Sequence, residues 1–347
     1  MPDFHPDFNR LKKVLLRDGE PDRVPFYELF ADSEIIQALT GKPTTLESLV
    51  EFQAMLGYDY APVGIPMNYP MRRRLVEDTA ALPHEKRAYV DDNQGAIENR
   101  DDFNNYPWPV VDDSILDPFD SVAQILPKGM KIIISLSGIL ENVVWLMGYM
   151  PFSFALYDDE QLIWDIFERI GNNHLKYTGL CLEKGPRNSF GAVVMGDDMG
   201  YSHSTMISPE LMRKYVFPWQ KRLVALIHHY DLPMILHSCG NLDGVMDDLI
   251  DYVGIDAKHS FEDKILPVTK AKERYGDRIA ILGGIDMDFL CRSTESQVRT
   301  YVADVLSACM AGGGYALGTG NSVANYVPLA NYLAMLDQGR KQGIYNA

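Results

Sequence analysis

Pro233-Met234-Ile235-Leu236-His237-Ser238-Cys239-Gly240-Asn241 runs from apolar residues straight into a His and a Cys two positions apart, and Gly-Asn then ends the run. A short apolar run bounded by turn residues is the pattern of a buried parallel strand. Residues i and i+2 of an extended chain point to one face. His237 and Cys239 are therefore presented together where the strand ends. An imidazole and a thiol at that spacing suit a borderline-soft metal such as zinc. A buried core His beside an inert Cys is the plainer reading of the same residues.

The pattern repeats on both sides of this stretch. Apolar segments at 24–29, 58–65, 131–137, 190–198, 254–260, 278–284 and 313–318 read as further strands. Helical spacing fills the gaps at 33–39, 45–56, 141–147, 159–184, 208–229, 242–252, 267–275, 295–310 and 328–342, with a short surface helix at 10–17. Thr45 is a natural N-cap with Glu47 nearby, and Ser208-Pro209-Glu210 opens its helix with a cap and a first-turn proline. Eight strands alternating with helices predict a parallel sheet, and over 347 residues a (β/α)8 TIM barrel of one domain, 1–347. No GxGxxG turn follows the first strand and no Walker loop is present, which disfavours a dinucleotide or P-loop fold. Residues 66–130 break the rhythm. Rich in Pro, Asp and Asn, they read as a hairpin-containing insertion after the second strand, with strand pieces at 87–91 and 95–98 and a helix at 121–126.

Composition narrows the function classes. A net charge of −16 argues against nucleic acid or an anionic membrane as partner. No apolar run is long enough to span a bilayer. The start, Met1-Pro-Asp-Phe-His-Pro-Asp-Phe, lacks the basic and apolar regions of a signal peptide, so a cytoplasmic protein is expected. The four cysteines are scattered and form no disulfide framework; Cys181, Cys291 and Cys309 read as small core residues.

In such a barrel, chemistry gathers at the carboxyl ends of the strands. The first strand delivers Glu28, the third Ser135 and Ser137, and the fourth Asp197 and Asp198. The fifth brings His237 and Cys239, the sixth His259 and Ser260. The seventh brings Gly283, Gly284 and Asp286, and the eighth Gly318, Thr319, Gly320 and Asn321. Each has a plain reading: Asp197 or Asp198 as a loop cap, Asp286 as an N-cap, His259 bonded to a backbone carbonyl. Their common position favours a site. It would hold zinc on His237, Cys239 and further ligands, or do metal-free acid–base work with Asp198, Asp286 and His259. Gly284, Gly318 and Asn321, on Gly-rich turns, are the expected ligand-binding positions.

Gly196-Asp-Asp-Met-Gly-Tyr, Ile207-Ser-Pro-Glu, His237-Ser-Cys-Gly-Asn, Asp256-Ala-Lys-His-Ser, Leu282-Gly-Gly-Ile-Asp and Gly318-Thr-Gly-Asn-Ser with Val327-Pro-Leu-Ala-Asn-Tyr follow one another in order. The set resembles the uroporphyrinogen decarboxylase superfamily, and most closely its cobalamin-dependent methyltransferases. Asp22-Arg-Val-Pro and the Gly41-Lys-Pro region match more loosely. The resemblance implies a barrel and splits over function. Decarboxylases grip a polycarboxylate tetrapyrrole with an Arg-rich stretch after the first strand; here that place reads Phe26-Tyr-Glu-Leu-Phe-Ala-Asp. The methyltransferases bind zinc through His-x-Cys and a distant Cys. His237 and Cys239 match, but Thr319 stands where the distant Cys is expected, so a carboxylate from Glu28, Asp198 or Asp286 would complete the site, Glu28 being taken as the third ligand. The resemblance thus implies a zinc-assisted transfer of a methyl group between a small methylated substrate or thiol and a corrinoid. No Asp-x-His-x-x-Gly stretch is present, so a separate corrinoid protein would carry that cofactor. A metal-free lyase acting on a carboxylated substrate and a non-catalytic ligand-binding barrel are the alternatives, and a homodimer is a candidate assembly.

Overall fold

Seven short, almost wholly apolar strands carry the core of the molecule, whose computed structural model describes residues 5–80, 82, 86–91 and 93–345. In chain order the strands are β1 (Tyr60–Gly64), β2 (Arg73–Glu77), β3 (Lys86–Val90), β4 (Lys131–Ser137), β5 (Phe190–Gly196), β6 (Met234–His237), β7 (Ala257–His259), β8 (Ala280–Leu282) and β9 (Tyr315–Ala316). The main sheet runs β1-β4-β5-β6-β7-β8-β9, with every pair parallel. Strands covered on both faces must be apolar throughout. Accordingly, all four residues of β6 and all three of β7 and β8 are buried.

Residues 24–29, expected as the first strand, form no ladder of their own. Phe26 bridges Leu317 in parallel sense, and the Tyr27 and Leu317 N–H groups donate to Leu317 and Pro25 carbonyls at 2.9 Å. On the opposite edge the Tyr60 hydroxyl takes the place of β1 backbone, accepting from the Glu28 N–H at 2.8 Å and donating to the Glu28 carbonyl. A side chain there satisfies groups that a ladder would otherwise pair. The sheet nevertheless bends until β9 lies beside residues 24–29, and Ala31–Val323 adds a second parallel bridge.

Residues 66–130, expected as an insertion, hold an antiparallel pair, β2 with β3. Of the expected pieces, 87–91 is largely strand, whereas 95–98 is not. Its partner is 73–77, exposed along its whole length, so it lacks the alternation that marks a half-buried strand. Arg87 holds the hairpin to the rest of the chain, with Asp32 at 2.9 Å and Asp78 at 3.0 Å. Asn325, beyond β9, donates its N–H to Asp32 and its side-chain amide to Asp78.

The helices fall near the expected spans, with two departures. The 208–229 helix contains a wider π turn, Met212–Val216, just before Pro218, which has no N–H to give. The 242–252 segment divides into a 3₁₀ turn, Asp243–Val245, and a π turn, Asp248–Val253. Among the described residues no single helix is long and apolar enough to cross a membrane. Met1–Phe4, the start of the stretch read for a signal peptide, lie outside the described residues.

Candidate metal centre and its cavity

Parallel pairing sets His237 of β6 level with His259 of β7 and with Gly196 of β5. The two imidazoles therefore meet, Nδ1 to Nδ1, at 2.8 Å. The proton positions follow from the far end of the chain of bonds. His259 Nε2 lies 3.1 Å from the Thr319 carbonyl oxygen, which only accepts, so Nε2 carries the hydrogen. Burial holds His259 neutral, pushing it down to about 3. Its Nδ1 is then a lone pair, and His237 Nδ1–H donates to it. His237, also driven by burial well below the usual imidazole range, is left with a bare Nε2.

That nitrogen faces Cys239 Sγ at 3.6 Å and Asp198 Oδ1 at 3.7 Å. The three ligand atoms lie within 4.8 Å of one another. Bonds of the usual length to a tetrahedral zinc place ligand atoms about 3.3–3.8 Å apart, so both His237 spacings fit such an ion. Asp198 Oδ1 also accepts the Cys239 N–H at 2.8 Å, which ties the β5 and β6 loops together. Cys239 Sγ receives two weak donors, Asn321 Nδ2 at 3.2 Å and Ser260 Oγ at 3.5 Å. Without a cation, burial first and the Asp198 charge second push the thiol up to about 12. A bound cation reverses that balance and favours thiolate.

The centre opens on a cavity of 880 Å³. Leu29, Phe30, Ile36, Leu46, Leu49 and Trp145 give it apolar walls, while Asp198, His237, Asn321 and Glu141 supply polar atoms. No Lys or Arg occurs among its described lining residues. A second cavity of 460 Å³ shares Glu141, Trp145 and Asp198 with the first.

The remaining expected site residues take other places. Glu28, expected as third metal ligand, is turned to Thr319. The Thr319 N–H donates to Oε1 at 2.9 Å, and Oε2 is hydrogen-bonded to Thr319 Oγ1. Thr319 Oγ1 also lies 2.8 Å from the Asn321 carbonyl, which takes its single proton. Glu28 therefore provides the proton of its own bond, in keeping with burial pushing it up to about 8. Asp198 stands with His237 and Cys239 in its stead. Thr319, at the position of the expected distant thiolate, points its side chain at Glu28 and not at the centre. Asp286 caps the Met287–Arg292 helix through the Phe289 N–H at 2.9 Å, and its other oxygen accepts from the Asp263 N–H. His259 lies behind His237 and orients it.

Gly284 and Gly318 serve packing. A Cβ on Gly284, at φ +95°, would lie 2.3 Å from Val268, and one on Gly318 would lie 1.7 Å from the Tyr27 carbonyl. Asn321 alone of the three expected ligand-binding positions lines the cavity. Asp197, next to Asp198, points the opposite way, as strand neighbours do. It accepts from the Leu140 and Glu141 N–H groups and Gln220 Nε2, capping the Ile139–Met147 helix.

Two residues were not singled out from sequence. Glu141 follows the end of β4 by four positions and lines both cavities. Burial, then Asp198 and Asp197, push it up to about 9. Lys258 is a buried cation in mid-strand, and the sequence offered only its place inside a segment expected as strand.

Comparison with known proteins bears on these features. The family model described as uroporphyrinogen decarboxylase (URO-D) matches residues 94–342. The uroporphyrinogen decarboxylase of Coxiella burnetii is 20% identical over 267 residues, 72% of this chain and 69% of that protein. Among solved structures, a methyltransferase from Methanosarcina mazei superposes with a TM-score of 0.71 at 16% identity, over 97% of this chain and 99% of the other. A putative vitamin-B12-independent methionine synthase from Listeria monocytogenes gives 0.52 at 12%, over 92% and 99%. Likeness at these identities speaks to fold. The match over most of the chain settles the lineage: this protein belongs to the uroporphyrinogen decarboxylase family.

Proposed function

We propose that the chain is a single (β/α)8-barrel methyltransferase in which residues 24–29 act as the first strand. It moves a methyl group between a small methylated substrate or thiol and a corrinoid carried by a partner protein, with zinc held by Asp198, His237 and Cys239. The observation that carries this reading is the convergence of one ligand atom each from His237, Cys239 and Asp198 within 4.8 Å, with His237 and Asp198 lining the cavity. Three protein ligands leave a fourth position open, the arrangement of catalytic zinc. Zinc bound there would lower the pKa of a substrate thiol or polarise an ether oxygen.

The protein's own residues supply the rest. The Thr319–His259–His237 chain keeps Nε2 deprotonated and aimed at the centre. Asn321 and Ser260 donate to the sulfur and hold its position. Leu29, Phe30, Leu46, Leu49 and Trp145 exclude water around a methyl-bearing group. Glu141, protonated at neutral pH, is the group able to give a proton to a departing oxygen or sulfur.

The cavity also argues against tetrapyrrole decarboxylation. A substrate with many carboxylates would meet no Lys or Arg among the described lining residues. The fold likeness to a methyltransferase is consistent with the preferred reading. Metal analysis after expression in zinc-replete medium tests it. Near-stoichiometric zinc, lost in Cys239→Ala, is expected; less than about a tenth of an equivalent in the parent protein would sink the proposal.

A further inference from the structure

Lys258 has no part in the chemistry above, yet it is among the most costly groups in the molecule to bury. It alternates with His259 along β7, so its side chain leaves on the opposite face of the strand. It is 4% exposed. No carboxylate is ion-paired with it among the described residues, and a buried ammonium without a counter-charge is strongly disfavoured. Its three N–H groups go to three carbonyls: Ser260 at 2.7 Å, Ser238 at 3.2 Å and His259 at 3.3 Å. The Phe261 ring lies under it, 4.4 Å from Nζ to centroid.

Those three carbonyls all belong to the metal centre. Ser238 sits between the ligands His237 and Cys239. His259 orients His237. Ser260 adopts φ +80°, a left-handed conformation that a serine seldom takes, and from there its hydroxyl reaches Cys239 Sγ. The groups whose negative charge would act on Lys258, after burial itself, are Cys239, Asp198 and Glu262, in that order. As a metal-bound thiolate, Cys239 would join Asp198 as its counter-charge.

Resting on the zinc reading, we infer that Lys258 is a positioning residue for the metal centre. It clamps the ends of β6 and β7, holds Ser260 in the conformation that supports the sulfur, and balances an anionic Cys239–Asp198 pair. A merely structural lysine would cap the same carbonyls without affecting the metal–sulfur bond.

Lys258→Met keeps the stem and removes the charge. Zinc affinity is read by competition with a chelator, and the thiolate bond by the sulfur-to-metal absorption of the Co²⁺-substituted protein. Lys258→Met is expected to weaken zinc binding about 10- to 100-fold and to diminish or shift the Co²⁺–thiolate band, with Lys258→Arg recovering part of both. A folded Lys258→Met protein with the parent affinity and band overturns the inference and leaves the zinc reading standing. A parent protein that takes up neither metal overturns both. If Lys258→Met does not fold, Lys258→Gln, which keeps hydrogen-bond donors without the charge, decides: a weaker affinity and shifted band support the inference, and an unchanged affinity and band overturn it.

Discussion

Replacing Asn321 with Cys tests which residue of the turn after β9 addresses the metal centre. Resemblance places the expected distant thiolate at Thr319, but Thr319 Oγ1 faces Glu28, whereas Asn321 Nδ2 lies 3.2 Å from Cys239 Sγ. A cysteine sulfur sits one bond nearer its Cβ than the amide nitrogen does, so it would draw back from that 3.2 Å contact. Two sulfurs on one tetrahedral zinc stand about 3.8 Å apart, so the retreat is in the required direction. A complete four-ligand zinc site is worth roughly 10–16 kcal/mol, or about 2.5–4 kcal/mol per ligand if shared evenly. At about 1.4 kcal/mol per tenfold, Asn321→Cys should tighten zinc by between about fifty-fold and a thousand-fold. The gain closes the open coordination position, so methyl-transfer activity should fall as affinity rises. Thr319→Cys should leave zinc affinity unchanged and lower stability by about 1–3 kcal/mol, because it weakens buried hydrogen bonds to Glu28 and Asn321. Chelator competition on the three proteins, beside urea unfolding, gives both quantities. Tighter zinc in Thr319→Cys with no gain in Asn321→Cys would refute the assignment of the turn and, with it, of Asp198 as the third ligand.

Glu141 is held protonated up to about pH 9, so transfer that depends on its proton should decline as pH rises through that value. Glu141→Gln should lower the rate by about 10²–10⁴ and abolish the basic limb; a variant that keeps the limb would show that another group gives the proton. Glu28, raised from the usual carboxylate range to about 8, retains a proton in the folded state that the unfolded chain releases above about 4.5. Its stabilising contribution is therefore complete at low pH and lost as pH rises through about 8. Glu28→Gln, neutral throughout, should flatten the fall in urea-unfolding free energy across that window by a few kcal/mol, and an unaltered slope would contradict the assignment.

The parts of the site that the sequence made legible are those set by local spacing. An apolar run that ends in His-x-Cys predicts two donors on one face, and His237 and Cys239 stand there. Alternation likewise says that Asp197 and Asp198 diverge, but it does not say which one turns toward the centre. Gln220 and the N–H groups of Leu140 and Glu141 decide that by taking Asp197, and these partners lie 23 to 57 positions away. Glu28 was placed correctly at a segment end, yet its role is fixed by Thr319, 291 residues along the chain. Residues 24–29 read as an ordinary strand because the Tyr60 hydroxyl that replaces a ladder on one edge belongs to another segment. Lys258 was passed over as a site residue, because the carbonyls it binds come partly from β6. In each case the local pattern supplied the candidates and a distant partner chose among them. The ligand set of this centre is accordingly decided by what removes Asp197 and Glu28 from it, as much as by what brings Asp198 in.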